Sequence, residues 1–213
     1  MTFLDKINKP RQGTYLPADD PEGKASGFIK STGTFILEIV KVIVISLAII
    51  IPVRYFLIQP FYVKGASMEP SFYDNEYLVI DEITYRFEKP ARGDIIVFRY
   101  PQNPSQFFIK RVIGLPGEKV EIRNGRVIIY NDSNPKGQAL DERDYLDTDV
   151  LTAGSDQVTL SPNEYYVLGD NREQSLDSRR IGPIDKKYII GRTWVRAWPF
   201  NKWRVFHNPD YGL

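Results

Sequence analysis

The chain has 213 residues, a net charge of +1, one histidine and no cysteine. That length supports one sizeable core with an appendage, and the balanced charge supplies no field that would gather nucleic acid. The missing cysteines exclude disulfides, thiolate zinc sites and cysteine nucleophiles, and the single histidine, His207, excludes a histidine-rich metal site and points away from histidine as a catalytic base.

Residues 1–30 are rich in proline, glycine and charge and carry no periodicity, so a flexible N-terminal tail is expected over 1–33. An apolar stretch follows. Its charge-free run, Val42 to Val53, is too short to cross a bilayer alone. Taken as 34–58 it reaches the roughly 20 residues a spanning helix needs, with Glu38, Lys41, Ser46, Pro52 and Arg54 tolerated. Lys41 and Arg54 flank the apolar run and can extend to the interfaces. The run is apolar around the whole helix, which favours a membrane anchor over the amphipathic helix of a soluble core. It starts too late for a cleaved signal peptide. Lys24, Lys30 and Lys41 on one side, against Arg54 and Lys64 on the other, lean weakly towards a cytoplasmic N-terminus.

From residue 59 the texture changes to short runs rich in Val, Ile, Phe and Tyr, separated by turn residues. The spacing predicts a mostly β unit over 59–213, an antiparallel β-sheet or barrel-like catalytic domain following the transmembrane helix. Asn124-Gly125, between "VEIR" and "RVIIY", signals a hairpin, because a type I′ turn needs two positive φ angles. Residues near 131–156 are polar and turn-rich and read as an excursion from the sheet.

Ser67 lies in "VKGASMEPSFYDNEYLVI". The stretch 58–67 reaches about 30 Å at most, at roughly 3.3 Å per residue, so Ser67 is expected near the bilayer surface. Phe61, Tyr62 and Phe72 suit such an interface. A serine nucleophile needs a base, and with His207 in the tail the common remaining choice is a lysine kept neutral by burial. Lys110 sits in "QFFIKRVIGL"; on a strand it shares a face with Phe108 and Val112. An edge-strand lysine with its head in water explains the same pattern. Lys64 is closer to Ser67 in sequence, but nothing in its surroundings predicts desolvation. The segment "LGDNREQSLDSRRIGPI" gathers hydroxyls, carboxylates and guanidinium groups, and alone it reads equally well as a solvated turn.

In order, "SMEPS" after an apolar anchor, "RGDIIVFRYP", "IKRVIGLPGE" and "GDNREQSLDSR" closely resemble the successive boxes of type I signal peptidases of the bacterial and organellar kind, over about residues 35–200. The resemblance implies Ser67 as nucleophile and Lys110 as general base. It implies that Ser175 hydrogen-bonds the lysine, that Asp170 pairs with Arg111 and Asp177 with Arg179, and that Met68 and Pro70 shape the nucleophile's turn and the nearby pocket. Some members carry a serine two residues before the nucleophile to help stabilise the oxyanion. Here that position is Gly65, next to Ala66, so the resemblance leaves the hole to backbone N–H groups, mainly that of Ser67.

The expected activity is removal of signal peptides from exported preproteins after small-x-small (A-x-A-like) sites, with no cofactor and no metal. Expected partners are preproteins, the lipid bilayer and the protein-export machinery, with no nucleic acid. The expected location is a single pass through the plasma membrane or an internal membrane such as the thylakoid, with the N-terminus cytoplasmic and the catalytic part on the export side. Two other readings compete. One is a membrane-tethered β-domain that binds peptides or partners without catalysis. The other is a self-cleaving repressor-type protease, which would need a DNA-binding domain that residues 1–60 do not offer. Ser133-Asn-Pro-Lys136 matches S-x-x-K but lies in a turn and lacks the companion motifs. Asn131-Asp-Ser133 is a glycosylation sequon only in a eukaryotic secretory route. Trp194, Trp198 and Trp203 read as packing residues and His207 as a tail residue.

Overall fold

The structure, a computed structural model, describes residues 21–56, 58–155, 157–209 and 211. It divides into an N-terminal unit ending at Ile50 and a β-rich unit from Ile51 onwards.

The first unit is helical. Helix α1 runs Pro21–Phe56, 36 residues. It therefore starts well before Thr34, and the expected tail over 1–33 is corrected for residues 21–33; residues 1–20 lie outside the described residues. Proline is favoured in a first helical turn, where its missing N–H is no loss. Once the apolar segment has nucleated a helix, extension past weak formers such as Gly23 and Gly27 is easier than a new start. The window Thr34–Ile51 is long and apolar enough to cross a membrane. Its side chains are exposed apart from Ser46, so this window buries almost none of its apolar surface in protein.

The second unit consists of two antiparallel sheets. The larger uses β1 (Ile58–Tyr62), β2 (Tyr77–Asp81), β3 (Ile95–Tyr100), β4 (Asn103–Gly114), β9 (Glu164–Leu168), β10 (Ile184–Asp185), β11 (Ile189–Trp198) and β12 (Arg204–Val205). Its order is β1-β2-β11-β3-β4-β9-β10, with β12 against β11. Among the described residues no pairing joins β1 to β10, so the sheet stays open. The smaller sheet uses β5 (Lys119–Arg123), β6 (Arg126–Tyr130), β7 (Gln138–Ala139) and β8 (Gln157–Thr159) in the order β7-β6-β5-β8. Two short helices, α2 (Thr84–Phe87) and α3 (Ser178–Ile181), lie between strands.

Strand β3 explains the position of the core. Its "IIVF" run is buried on both faces. Ile95 and Val97 pack with Val63, Met68, Phe72, Leu78 and Ile80, whereas Ile96 and Phe98 pack with Val112, Tyr165, Val167 and Ile184. A strand buried on both faces reads as a continuous apolar run, and each such side chain contributes roughly 1.5–3 kcal/mol. A third cluster, including Ile113, Val120, Ile129 and Leu168, joins the ends of β4 and β9 to the smaller sheet. The expected β5–β6 hairpin forms: Asn124 and Gly125 have φ of 52° and 75°, with Arg123 opposite Arg126. Trp194, Trp198 and Trp203 are not core residues; all three are exposed, and β11 shifts register against β2 just before Trp198.

Candidate active site

Ser67 sits on the loop between β1 and β2. The base of that loop is closed by Val63 N–H donating to the Glu76 carbonyl (2.8 Å) and Asn75 N–H donating to the Val63 carbonyl (3.1 Å). Phe72 N–H donates to the Met68 carbonyl (2.8 Å), which winds residues 68–72 into a turn. Met68 and Phe72 then point together into the core, and both are buried. Phe72 is thus a core anchor and not the interface residue the sequence suggests. Ser67, immediately before the first of these anchors, is half-buried and borders a groove. Gly65 adopts φ +92°, a conformation that favours glycine, and its N–H is held by the Asp74 carboxylate at 2.7 Å.

Lys110 enters from β4, where it pairs with Ile96 of β3. It is 3% exposed. Its Nζ lies 2.7 Å from Ser67 Oγ and 2.7 Å from the carbonyl of Ile109, and 5.4 Å from the centre of the Phe108 ring. Burial lowers its pKa from 10.5 to about 8, against the opposing pull of Asp177 and Asp170. A neutral amine is therefore within reach of ordinary pH. Lys64, the rival, is exposed.

The "GDNREQSLDSR" loop closes the far side. Asp170 receives Arg111 Nε and Nη2 at 2.8 and 2.6 Å, a buried two-pronged pair. Burial works against the Arg111 charge, but Asp170 outweighs it and holds the pKa above the ordinary range. Arg111 also donates to the Gly93 carbonyl (3.2 Å) and to Ser71 Oγ (3.3 Å), so it ties the loop to the turn that follows Ser67. Asp177 receives Arg179 Nε and Nη2, each at 2.8 Å, and Gly169 N–H at 3.0 Å. Burial raises the Asp177 pKa; the polar groups of Arg179, Ser175 and Gly169 around it outweigh burial, and the net shift is downward. Asn171 N–H donates to the Ser67 carbonyl at 3.1 Å.

The expected residues do not all take their expected places. Gly65 and Ala66 line the groove, which has about 280 Å³ and is otherwise walled mainly by Phe61, Val63, Val97 and Ile109. Met68 is a core residue, and Pro70 faces a separate cavity beside Arg111 and Phe206. Ser175 is buried within the loop, near enough to Asp177 to lower its pKa. It makes no well-aligned hydrogen bond in this structure, to Lys110 or to any other group. Three features escaped the sequence reading. Arg196 of β11 lies 2.9 Å from Glu76, both buried, and donates to the Ser71 carbonyl. Arg172 pairs with Glu142. Gly169 packs directly beneath Ser67. Only the small size of Gly169, inside a motif of larger polar residues, was visible in advance.

The sequence model of the family described as "Signal peptidase, peptidase S26" matches residues 36–198. Signal peptidase I of Leptolyngbya laminosa is 39% identical over 78% of this chain and 82% of its own. Probable signal peptidase I-2 of a Synechocystis species is 36% identical over 76% and 73%. Signal peptidase IB of Staphylococcus aureus is 33% identical over 82% and 96%. A crystal structure of signal peptidase I from Enterococcus faecalis aligns at 34% identity over 49% of this chain and 97% of that one, with a TM-score of 0.41.

Proposed function

The chain belongs to the signal peptidase family, peptidase S26, and is a serine endopeptidase; from that premise we propose that it is a membrane-anchored enzyme that removes signal peptides from preproteins with a Ser67–Lys110 dyad. The observation that carries this reading is the 2.7 Å separation of Ser67 Oγ and a lysine amine whose pKa burial has lowered.

In this mechanism neutral Lys110 takes the Ser67 proton as Oγ attacks the scissile carbonyl carbon. The tetrahedral oxyanion forms beside the Ser67 N–H, which has no other hydrogen bond among the described residues. The Gly65 N–H is occupied by Asp74, so it does not serve as a second donor. Collapse of the intermediate breaks the peptide bond, and protonated Lys110 supplies the proton that the leaving amine needs. Lys110, again neutral, then takes a proton from water as it attacks the acyl-enzyme and returns that proton to the departing Ser67 Oγ, which releases the signal peptide and restores the dyad.

The groove supports a small-x-small preference. Val63, Ala66, Val97 and Ile109 give it an apolar, shallow wall that suits alanine. The segment Thr34–Ile51 supports a single-pass anchor; in this reading the N-terminus is cytoplasmic and the peptidase unit lies on the export side. Preproteins are the substrates in this reading, and the bilayer and export machinery its neighbours. The test is to incubate the purified full chain, in lipid, with a preprotein and to sequence the new N-terminus. A cut directly after an A-x-A site is expected from wild type and not from Ser67→Ala. Cleavage elsewhere, or equal cleavage by the variant, would overturn the reading.

A further inference from the structure

The polar excursion near 131–156 has no role in the mechanism above, yet it supplies the partner of a buried charge in the catalytic loop. We propose that Glu142 is a positioning residue that holds the 169–177 loop, and through it the nucleophile, in register for cleavage. The proposal rests on the Ser67–Lys110 reading.

Arg172 is buried within the loop. Its Nε donates to the Gly169 carbonyl at 3.1 Å, folding the loop onto itself. Its outer nitrogens leave the loop altogether. Nη1 and Nη2 reach the two oxygens of Glu142 at 3.1 and 2.5 Å, and Nη1 also donates to the hydroxyl of buried Thr152. Glu142 has a second link to the site: it accepts the Tyr145 hydroxyl at 2.6 Å, and the Tyr145 ring lies 3.9 Å from the guanidinium carbon of Arg111. A third strap joins the Ala153 carbonyl to Arg179, which in turn donates to the Arg172 carbonyl at 2.7 Å. The excursion is itself fixed to the smaller sheet, by Thr152 N–H on the Gly125 carbonyl and Leu140 N–H on the Val127 carbonyl, both at 2.9 Å.

The consequence follows from charge. A buried guanidinium that loses its carboxylate must move towards water or draw water in. Arg172 can move only by releasing Gly169. Gly169 and its neighbour Asn171 are the residues that touch the Ser67 carbonyl, at packing distance and through a hydrogen bond respectively. Glu142 does not line the substrate groove, whereas Gln174 and Leu176 of the loop stand at its edge. Loss of Glu142 should therefore slow the chemical step more than it weakens binding.

The experiment is steady-state cleavage of a preprotein by the full chain in lipid, at a temperature where each variant is shown to be folded. Glu142→Ala is expected to lower kcat about 10- to 100-fold, the scale of a displaced catalytic group, with a smaller change in KM. Glu142→Gln, which keeps the shape and one acceptor oxygen, is expected to fall between Glu142→Ala and wild type. Arg143→Ala removes the exposed pair with Asp141 on the same segment and is expected to match wild type. A lowered melting temperature with unchanged kcat, or a raised KM with unchanged kcat, would overturn the proposal. If Glu142→Ala does not fold, wild-type kcat in Glu142→Gln overturns it equally. Ser67→Ala in the same assay separates the two claims. If Ser67→Ala cleaves like wild type, the dyad reading fails and takes the proposal with it. An inactive Ser67→Ala beside a fully active Glu142→Ala defeats the proposal alone.

Discussion

Gly169 lies so close beneath Ser67 that a Cβ on it would come within 2.4 Å of the Ser67 carbonyl oxygen and 2.2 Å of Ser175 Oγ. The first contact is with backbone, which cannot swing aside. Gly169→Ala should therefore displace the nucleophile's turn and reduce kcat about 100-fold, as a shift near 1 Å does in a preorganised site. Preprotein cleavage alongside circular dichroism checks this. A folded Gly169→Ala with wild-type kcat would show that the loop relaxes without moving Ser67.

The lowered pKa of Lys110 predicts the pH profile. The base must be neutral, so kcat/KM should rise with pH and level off above about 8. At pH 7 roughly a tenth of the enzyme would hold the neutral amine. A profile flat from pH 6 to 9 would contradict Lys110 as the base.

The same burial predicts a stability effect of known sign. Folded Lys110 releases its proton near 8, an ordinary lysine near 10.5. Below pH 8 both states are protonated and the folded state carries the full cost of a buried ammonium. Between 8 and 10.5 the unfolded chain binds more protons, so the Lys110 contribution improves as pH rises. Lys110→Met removes that cost and keeps the shape. It should stabilise the peptidase unit by about 1–3 kcal/mol at pH 7, with activity abolished and the gain vanishing above pH 10.5. Urea titrations at two pH values measure both.

The Arg111–Asp170 pair predicts a large penalty for removing one partner. Asp170→Ala leaves a buried guanidinium without its carboxylate and should cost about 3–5 kcal/mol. Because Arg111 also holds Ser71, cleavage should fall with stability. Urea titration and kcat together check this, and a loss under 1 kcal/mol would mean that solvent reaches Arg111 easily.

Gly65 predicts a separation of stability from rate. A Cβ there meets nothing within 4 Å, so the only penalty is the positive φ, about 1–2 kcal/mol for other residues. Gly65→Ser should lower the melting temperature by a few degrees and keep kcat within about threefold. A loss beyond tenfold would show that the glycine backbone itself takes part in catalysis.

Much of this site was legible in the sequence because its signals are local. Asn124-Gly125 encodes its own turn. Short apolar runs such as "IIVF", set between turn residues, mark the β unit. Ser67 and Lys110 carry an ordered motif set. The rest depends on topology. Nothing near Arg172 names Glu142 as its partner, and nothing near Glu76 names Arg196, because each pair joins segments brought together only by the sheets. The start of α1 was misjudged because glycine and charge lower local helix propensity, whereas extension of an existing helix is easy. Met68 and Pro70 share a motif, but the turn buries Met68 in the core and leaves Pro70 exposed beside a separate cavity.

The most direct measurement is cleavage of one A-x-A preprotein, in lipid, by wild type, Ser67→Ala and Lys110→Ala, each verified as folded by circular dichroism. Cleavage by wild type alone is the predicted result. Near-wild-type cleavage by either variant would contradict the Ser67–Lys110 dyad.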